Sequence, residues 1–404
     1  MKTDSPLLET NDGFLVCQPE AEINQPSGSI YLMDIFDKDL MRQIDTQLMD
    51  SQVFFPQKQG VNFIERHPYF QKLKEIRVIP AIETLLDRKI TQFVKVDSEG
   101  YFSFFISKVN NAEQYPFLCS EETSADRSFR LILPRMIPLA ILFHEFVRKY
   151  PGNSGIVPFS HGDAGRGDGS VLCYSSNQKN HKLIPDSDYL YRHAYSDFKE
   201  QLKSSYVRWE KRKPVVYWRG SSTGKKSRDN AWREMPRFQL CQFALDSTYK
   251  DLFDIKITRI TNRFTSPEVI QEIKDSGFIA PYEPATDQVK YKYLIDINGH
   301  VCNWTGVFLR LLTGSPLIRV ISSDGYKQWF YDRLIPWENY IPVKEDLSDL
   351  QDVVVYLKNH DQKAKAIGEA GKKLAFSMTL ENEIEMALPV IRECLQDNKN
   401  CAVV

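Results

Sequence analysis

Along this chain, stretches with apolar residues at helical spacing alternate with short strand-like runs, most regularly in its second half. The first 150 residues are mixed. Met33 to Met49 has the apolar spacing of an amphipathic helix begun near Asp34, and Tyr69 to Leu86 reads as another. Gln92 to Val109 alternates as strands around a turn at Asp97-Ser98-Glu99-Gly100. Ser128 to Lys149 predicts a long helix ended by Pro151-Gly152. Its most apolar part, Leu131 to Val147, carries Arg135, His144, Glu145 and two prolines, which suits a buried helix rather than a membrane span.

Gly155 to Phe159 predicts a short strand running into Ser160-His161-Gly162-Asp163-Ala164-Gly165-Arg166-Gly167-Asp168-Gly169, with another apolar run at Ser170 to Tyr174. Tyr189 to Trp209 reads as an aromatic, charged helix, and a domain boundary is expected near 205. Beyond it come a strand at Pro214 to Trp218, a helix at Ala231 to Ala244 and a strand at Asp254 to Ile260. Tyr291 to Ile297 is a strand ended by the Asn298-Gly299 turn. A buried helix over Trp304 to Leu312 is stopped by Gly314, and Pro316 to Ile321 is a strand. Helices are expected over 348–359, 361–377 and 380–396. Successive strand-turn-helix units imply parallel pairing, hence an α/β fold with a doubly wound sheet.

Composition adds bounds rather than elements. With 404 residues the chain has room for two domains. It is 42% hydrophobic and 26% charged with a net charge of −1, so it lacks the Lys/Arg excess of a nucleic-acid-binding protein. Met1 to Asp12 is polar and acidic, without the pattern of a signal peptide. The 7 cysteines are scattered, which points to free thiols in a reducing compartment and a cytoplasmic protein. Cys401-Ala-Val-Val fits a loose prenylation box of a kind that arises easily by chance.

The richest chemistry lies in Pro214 to Asp229. An apolar run (Val215, Val216, Tyr217, Trp218) ends in a Gly/Ser/Thr cluster with Arg219, Lys225, Lys226 and Arg228. Small residues let main-chain N–H groups approach a phosphate, the hydroxyls of Ser221, Ser222 and Thr223 add donors, and a guanidinium can fork across two oxygens. A solvated surface turn is the plain alternative. It is not a Walker loop: three residues separate Gly220 from Gly224, and Lys226 rather than Ser/Thr follows Lys225.

In the glycine-rich stretch after 159, Asp163 and His161 are the candidate bases, because α/β proteins carry catalytic groups on loops at strand ends. The alternative is that Asp163 and Asp168 stabilise turns through bonds to backbone. Asp186-Ser187-Asp188 has the Asp-x-Asp form of a metal-diphosphate site but sits in a polar linker. The aromatics of Asp324 to Asp349 (Tyr326, Trp329, Phe330, Tyr331, Trp337, Tyr340) serve equally as core or as a platform for sugar rings and bases.

The ordered blocks Tyr-Trp-Arg-Gly-Ser-Ser-Thr-Gly (217–224), Tyr-Lys-Tyr-Leu-Ile-Asp-Ile-Asn-Gly (291–299), Leu-Leu-Thr-Gly-Ser (311–315), Pro-Trp-Glu-Asn-Tyr-Ile-Pro-Val (336–343) and Asp-Leu-Ser-Asp-Leu (346–350) resemble glycosyltransferase family 90. This family includes protein O-glucosyltransferases, fungal capsule-associated xylosyltransferases and bacterial lipopolysaccharide-modifying enzymes. The resemblance covers roughly 210–375, with no useful similarity seen before 150.

It implies a GT-B architecture, two Rossmann-like doubly wound domains facing across a cleft with C-terminal helices. The expected division is 1–205 for the acceptor side, 206–360 for the nucleotide-sugar domain and 361–404 for a helical segment. It also implies an inverting, metal-independent transfer from a UDP-sugar to a glycan, lipid-linked or protein hydroxyl, with no cofactor. Carried onto this sequence, Asp163 is the base and His161 its acceptor-side neighbour. Arg219, Gly220, Ser221, Ser222, Thr223 and Arg228 contact the diphosphate, and Val301, Cys302, Asn303, Trp304 and Thr305 border the nucleotide.

The sequence departs from the protein O-glucosyltransferases in one respect. Where these carry a phosphate-binding Arg after the Asn-Gly turn, this chain reads Asn303-Trp304-Thr305-Gly306-Val307. The diphosphate is therefore expected to rely on Arg219, Arg228 or Lys225. A bacterial member in the cytoplasm, at the inner face of the membrane if peripherally associated, is the expectation. The alternatives are a non-catalytic nucleotide- or glycan-binding protein on the same fold and a phosphoryl-transfer enzyme using Lys225-Lys226.

Overall fold

The computed structural model describes residues 14–19, 30–31, 76–81, 92–100, 102–106, 124–224, 229–261 and 264–399. The helix expected over Met33 to Met49, together with Lys225, Lys226, Arg228 and the Cys401 box, lies outside the described residues. The described chain falls into two compact units, one from Met1–Ala194 with Leu380–Val404 and one from Tyr195–Thr379.

The first unit holds β1 (Phe14–Pro19), β2 (Ile30–Tyr31), β3 (Ile76–Ala81), β4 (Gln92–Val96), β5 (Phe102–Ile106), α1 (Ser124–Lys149), β6 (Gly155–Ser160), β7 (Leu172–Cys173), β8 (Lys182–Leu183) and α2 (Ser187–Tyr191). Its sheet runs β2-β3-β1-β5-β4-β6-β7-β8. The helix expected over 69–86 contains strand β3 instead, antiparallel to β1. An Ile-Arg-Val-Ile run satisfies either period, and β-branched residues favour the strand once a partner strand is present. The β4–β5 hairpin matches the expectation, its turn closed by Gly100 N donating to Asp97 O at 3.3 Å and Glu99 N to Asp97 Oδ1 at 3.0 Å. Pairing is antiparallel from β2 to β6 and parallel from β6 through β7 to β8. The doubly wound expectation for this half is thus met only across its last three strands. Leu139, Leu142, Phe143 and Phe146 of α1 are buried with Phe93, Phe102 and Val157, as a buried rather than membrane-spanning helix requires. Among the described residues, no helix is long and apolar enough to cross a membrane.

The helix expected over Tyr189 to Trp209 is interrupted. His193, Ala194 and Tyr195 have φ of 48°, 53° and 57°, a left-handed run that L-residues adopt at a cost. The buried Tyr195 ring offsets it, packing 5.4 Å from Phe308 while its hydroxyl donates to Thr305 Oγ1 at 3.3 Å. The second unit starts here, eleven residues before the expected boundary of 205 by the position of Ala194.

That unit contains α3 (Ser196–Ser204), β9 (Lys213–Ser221), α4 (Pro236–Asp246), β10 (Phe253–Arg259), α5 (Pro267–Asp275), β11 (Tyr291–Asp296), α6 (Trp304–Leu312), β12 (Leu317–Val320), β13 (Ile341–Val343), α7 (Leu350–Asn359) and α8 (Asp361–Ser377). The strand order is β10-β9-β11-β12-β13, parallel throughout. A parallel sheet needs both faces covered. Val216, Trp218, Ile255, Ile295, Ile318 and Ile341 build one face of the core with Phe238 of α4, Ile273 of α5 and Leu350 of α7. The side chain of Asp296, between Ile295 and Ile297, turns to the other face and meets Arg310 of α6. The last helix, α9 (Leu380–Asp397), belongs to the first unit, so the helical segment expected over 361–404 divides between α8 and α9. There Lys149 pairs with Glu385, Lys182 with Glu393, and Asn398 Nδ2 donates to Ser170 O at 2.9 Å.

Candidate functional site

In the second unit the chain leaves β9 toward β10 on one side, then crosses to β11 on the other. The carboxyl ends of β9 and β11 therefore flank a topological switch point, where open α/β sheets leave a crevice for ligands. The two stretches singled out by sequence, Ser221 to Thr223 and Val301 to Thr305, follow these two strands.

They are joined by a residue that sequence reasoning missed. Arg237, in the first turn of α4, is buried and donates through Nη1 to Ser221 O at 2.9 Å and to Thr223 Oγ1 at 2.6 Å. Its Nε reaches Asn298 O at 3.3 Å, and its Nη2 reaches Ile297 O at 3.5 Å. One guanidinium thus ties the loop after β9 to the turn after β11. Burial lowers its pKa to about 10, which still leaves it charged at neutral pH. Gly299 makes room for this link, since a Cβ there would lie 2.7 Å from Thr223 Oγ1 and 3.1 Å from Arg237 Nη2.

The other members of the first stretch have structural partners. Arg219 pairs with Asp254 Oδ1 at 2.7 Å and Glu283 Oε1 at 2.9 Å, and its Cζ sits 4.5 Å from the Tyr217 ring centre. Its charge is balanced inside the protein, so it is not the ready diphosphate cation expected from its place in the sequence. Tyr217 donates to Glu283 at 3.1 Å and Tyr291 to Asp254 at 3.2 Å, with the two rings stacked at 4.1 Å. Burial pushes the Tyr291 phenol up to about 12 and that of Tyr217 higher still, so both stay neutral donors. Gly220 answers to packing: a Cβ there would collide with the Trp218 ring, which folds over it. Ser222 is fully buried, its N–H donating to Arg259 O at 2.9 Å and its Oγ accepting from Thr261 N at 2.8 Å, which anchors the loop to β10.

In the second stretch, Val301 and Cys302 are buried and Asn303 is the N-cap of α6. Asn303 accepts from Gly306 N at 3.1 Å while its Nδ2 donates to Asp296 Oδ1 at 3.0 Å. Arg310 Nη1 donates to the same oxygen at 3.0 Å. This triad holds the start of α6, with Trp304 and Thr305 in its first turn, against the end of β11. The positive dipole end of the helix suits an anion.

In the first unit, Asp163 stands on the loop after β6. Arg135 of α1 donates through Nη2 to Asp163 Oδ1 at 2.9 Å and through Nη1 to His161 O at 2.9 Å, which pins the loop from below. Ser175 Oγ donates to Asp163 O at 2.6 Å, and His181 Nε2 pairs with Gly167 O at 3.0 Å. The Asp163 side chain bonds to Arg135 rather than to a turn amide and is 47% exposed. Burial, followed by the charge of Arg135, lowers the His161 pKa to about 4, so its imidazole is neutral. Asp186 is fully buried as the N-cap of α2, accepting from Tyr189 N at 2.9 Å, and Asp188 follows in the first turn. The Asp-x-Asp triplet is a helix start.

Comparison with known proteins bears on the second unit above all. Residues 192–385 match the model of glycosyl transferase family 90. This stretch is a family 90 glycosyltransferase segment. Within it fall both loops of the switch point, Arg237 and the Asp296–Arg310 pair. The chain is 29% identical to protein O-glucosyltransferase 1 of Homo sapiens over 194 residues, covering 47% of this chain and 42% of that protein. It is 30% identical to protein O-glucosyltransferase 1 of Rattus norvegicus over 181 residues, covering 44% and 40%. Uncharacterized protein 179R of invertebrate iridescent virus 6 is 25% identical over 333 residues, covering 77% of this chain and 26% of that one. That match takes in more of the chain than lies beyond residue 150, so similarity extends into the part where none was expected. The chain spans less than half the length of each of these relatives. A glycosyltransferase from Rickettsia africae ESF-5 superposes with a TM-score of 0.33 at 12% identity, over 57% of this chain and 64% of that one.

Proposed function

We propose that the chain transfers a sugar from a UDP-sugar to a hydroxyl of a glycan, lipid-linked or protein acceptor, with inversion and without a metal. The observation that carries this reading is the Arg237 link between the Ser221–Thr223 loop and the Ile297–Gly299 turn, which brings the two loops together at the switch point inside the family 90 segment. In this reading the crevice holds the nucleotide diphosphate, with the first turn of α6 beside it. The GT-B arrangement of two facing domains is part of the same proposal. Asp163 is the general base: its carboxylate takes the acceptor proton as the hydroxyl attacks the anomeric carbon. Cationic groups and main-chain dipoles stabilise the charge that grows on departing UDP.

The relatives named protein O-glucosyltransferase make UDP-glucose the first donor to test and a protein hydroxyl the first acceptor. The free, buried thiols of Cys173, Cys241, Cys302 and Cys394 accord with a reducing compartment. Thermal melting with UDP in the presence of EDTA is the direct test. UDP should raise Tm with no metal added, and Asp163→Asn should keep that shift while losing transfer by about 100-fold or more, the scale of a missing general base. An Asp163→Asn protein that transfers at the wild-type rate removes Asp163 from the role. No binding of any uridine nucleotide, with or without metal, rejects the donor reading.

A further inference from the structure

We propose that Arg319 is a phosphate-binding group of the donor site, receiving a diphosphate oxygen of the nucleotide-sugar at the carboxyl end of β12. The inference rests on reading this unit as a nucleotide-sugar site, and it concerns a residue in none of the stretches assigned to that role.

The other arginines at this sheet each donate through a terminal nitrogen to an acceptor of the protein. Arg212 donates to Ser315 Oγ at 2.7 Å and Thr313 O at 3.2 Å, Arg237 holds its carbonyls and hydroxyls, and Arg310 holds Asp296. Arg219 has its two carboxylates. Arg319 differs. Its Nε is buried without a hydrogen-bond partner, as are those of Arg219 and Arg310, but among the described residues its guanidinium as a whole forms neither a hydrogen bond nor an ion pair. What it does have is the face of Tyr331, whose ring centre lies 4.0 Å from Cζ. Asp296 is its register partner on β11, yet Asp296 is bound to Arg310 and Asn303 through Oδ1, and its Oδ2 is buried without a partner.

Arg319 is only partly buried. Burial disfavours its charge, but the neighbouring Tyr331 and Asp296 more than offset this and hold its pKa above the ordinary value. It therefore stands as a cation whose terminal nitrogens remain available to a ligand. The aromatic face holds the planar cation by its π-surface and leaves the N–H edge for a bidentate oxyanion, the geometry in which arginine recognises phosphate. The location agrees. Ile318 and Val320 belong to the core face, so Arg319 between them points to the face that α6 covers, the side on which Asp296 and the start of α6 lie. It stands two strands from β9, at the carboxyl edge where open α/β sheets bind ligands.

Calorimetric titration of wild type, Arg319→Met and Arg319→Lys with UDP, uridine and inorganic pyrophosphate tests the assignment. Arg319→Met should weaken UDP and pyrophosphate by about tenfold or more, the effect of one lost charged hydrogen bond. Uridine should bind unchanged, and Arg319→Lys should retain part of the loss. Without ligand, Arg319→Met should melt close to wild type, because no hydrogen bond or ion pair within the protein is lost with the guanidinium. Unchanged UDP binding in Arg319→Met, an equal loss for uridine, or a clearly lower ligand-free Tm overturns the inference. Wild type that binds pyrophosphate through Arg319 but not UDP rejects the nucleotide reading alone, whereas wild type that binds UDP with no role for Arg319 rejects the inference alone.

Discussion

Arg237 Nη1 donates to Thr223 Oγ1 at 2.6 Å, and through the same side chain the end of β9 is fastened to the end of β11. Two loops that are far apart in sequence thereby share one buried cation.

Replacing Arg237 by Met should uncouple them. Buried acceptors at Ser221 O, Asn298 O and Ile297 O would lose their donor, at a cost of about 3 kcal/mol in unfolding free energy. Urea denaturation reads the loss. UDP should bind the remaining folded protein at least about tenfold more weakly if the two loops form one site.

Arg219 should behave differently, because its partners are internal. Arg219→Ala leaves Asp254 and Glu283 without their counter-charge and should lower stability by about 2 kcal/mol, a value below that of a fully buried pair because both carboxylates are 32% exposed. UDP affinity measured on the folded protein should stay within about threefold, as expected for a residue outside the site. A large, selective loss of UDP binding at unchanged Tm would restore Arg219 to the diphosphate.

His161 gives the first unit a pH dependence of known sign. Burial lowers its pKa to about 4 from the ordinary 6.5, so between these values the unfolded chain takes up a proton that the folded protein does not. Its contribution is fully present above pH 6.5 and is lost as pH falls toward 4, amounting to at most about 3 kcal/mol. In His161→Asn the slope of stability against pH across that window should flatten.

Gly368 of α8 lies against Gly314 O and Pro316, so close that a Cβ would overlap the carbonyl oxygen. Both neighbours of the new methyl include backbone, which cannot turn aside as a side chain can. Gly368→Ala should therefore destabilise by about 1–3 kcal/mol despite its better helix propensity, and calorimetric melting checks it.

Much of the second unit was legible in the chain. The helix Trp304–Leu312 falls where the apolar spacing and Gly314 put it, and the strands at 213–221, 253–259, 291–296 and 317–320 follow β-branched runs with clear stops. The local period of apolar residues carries that information without reference to distant neighbours. At 76–81 the period was ambiguous and pairing with β1 decided for a strand. At 193–195 no local signal announced the left-handed run, which depends on Tyr195 finding Phe308 and Thr305 across the fold.

The site divides in the same way. By itself the sequence determined the α/β class, the family 90 segment and two loops suited to a phosphate, because residue type and local spacing suffice for these. Only the tertiary structure decided which cations are engaged: Arg219 by Asp254 and Glu283, Arg237 by the two loops, and Arg319 by an aromatic face with no hydrogen bond or ion pair. An arginine's availability depends on which carboxylates and carbonyls lie within about 3 Å of it, and long-range strand order and helix packing set those distances.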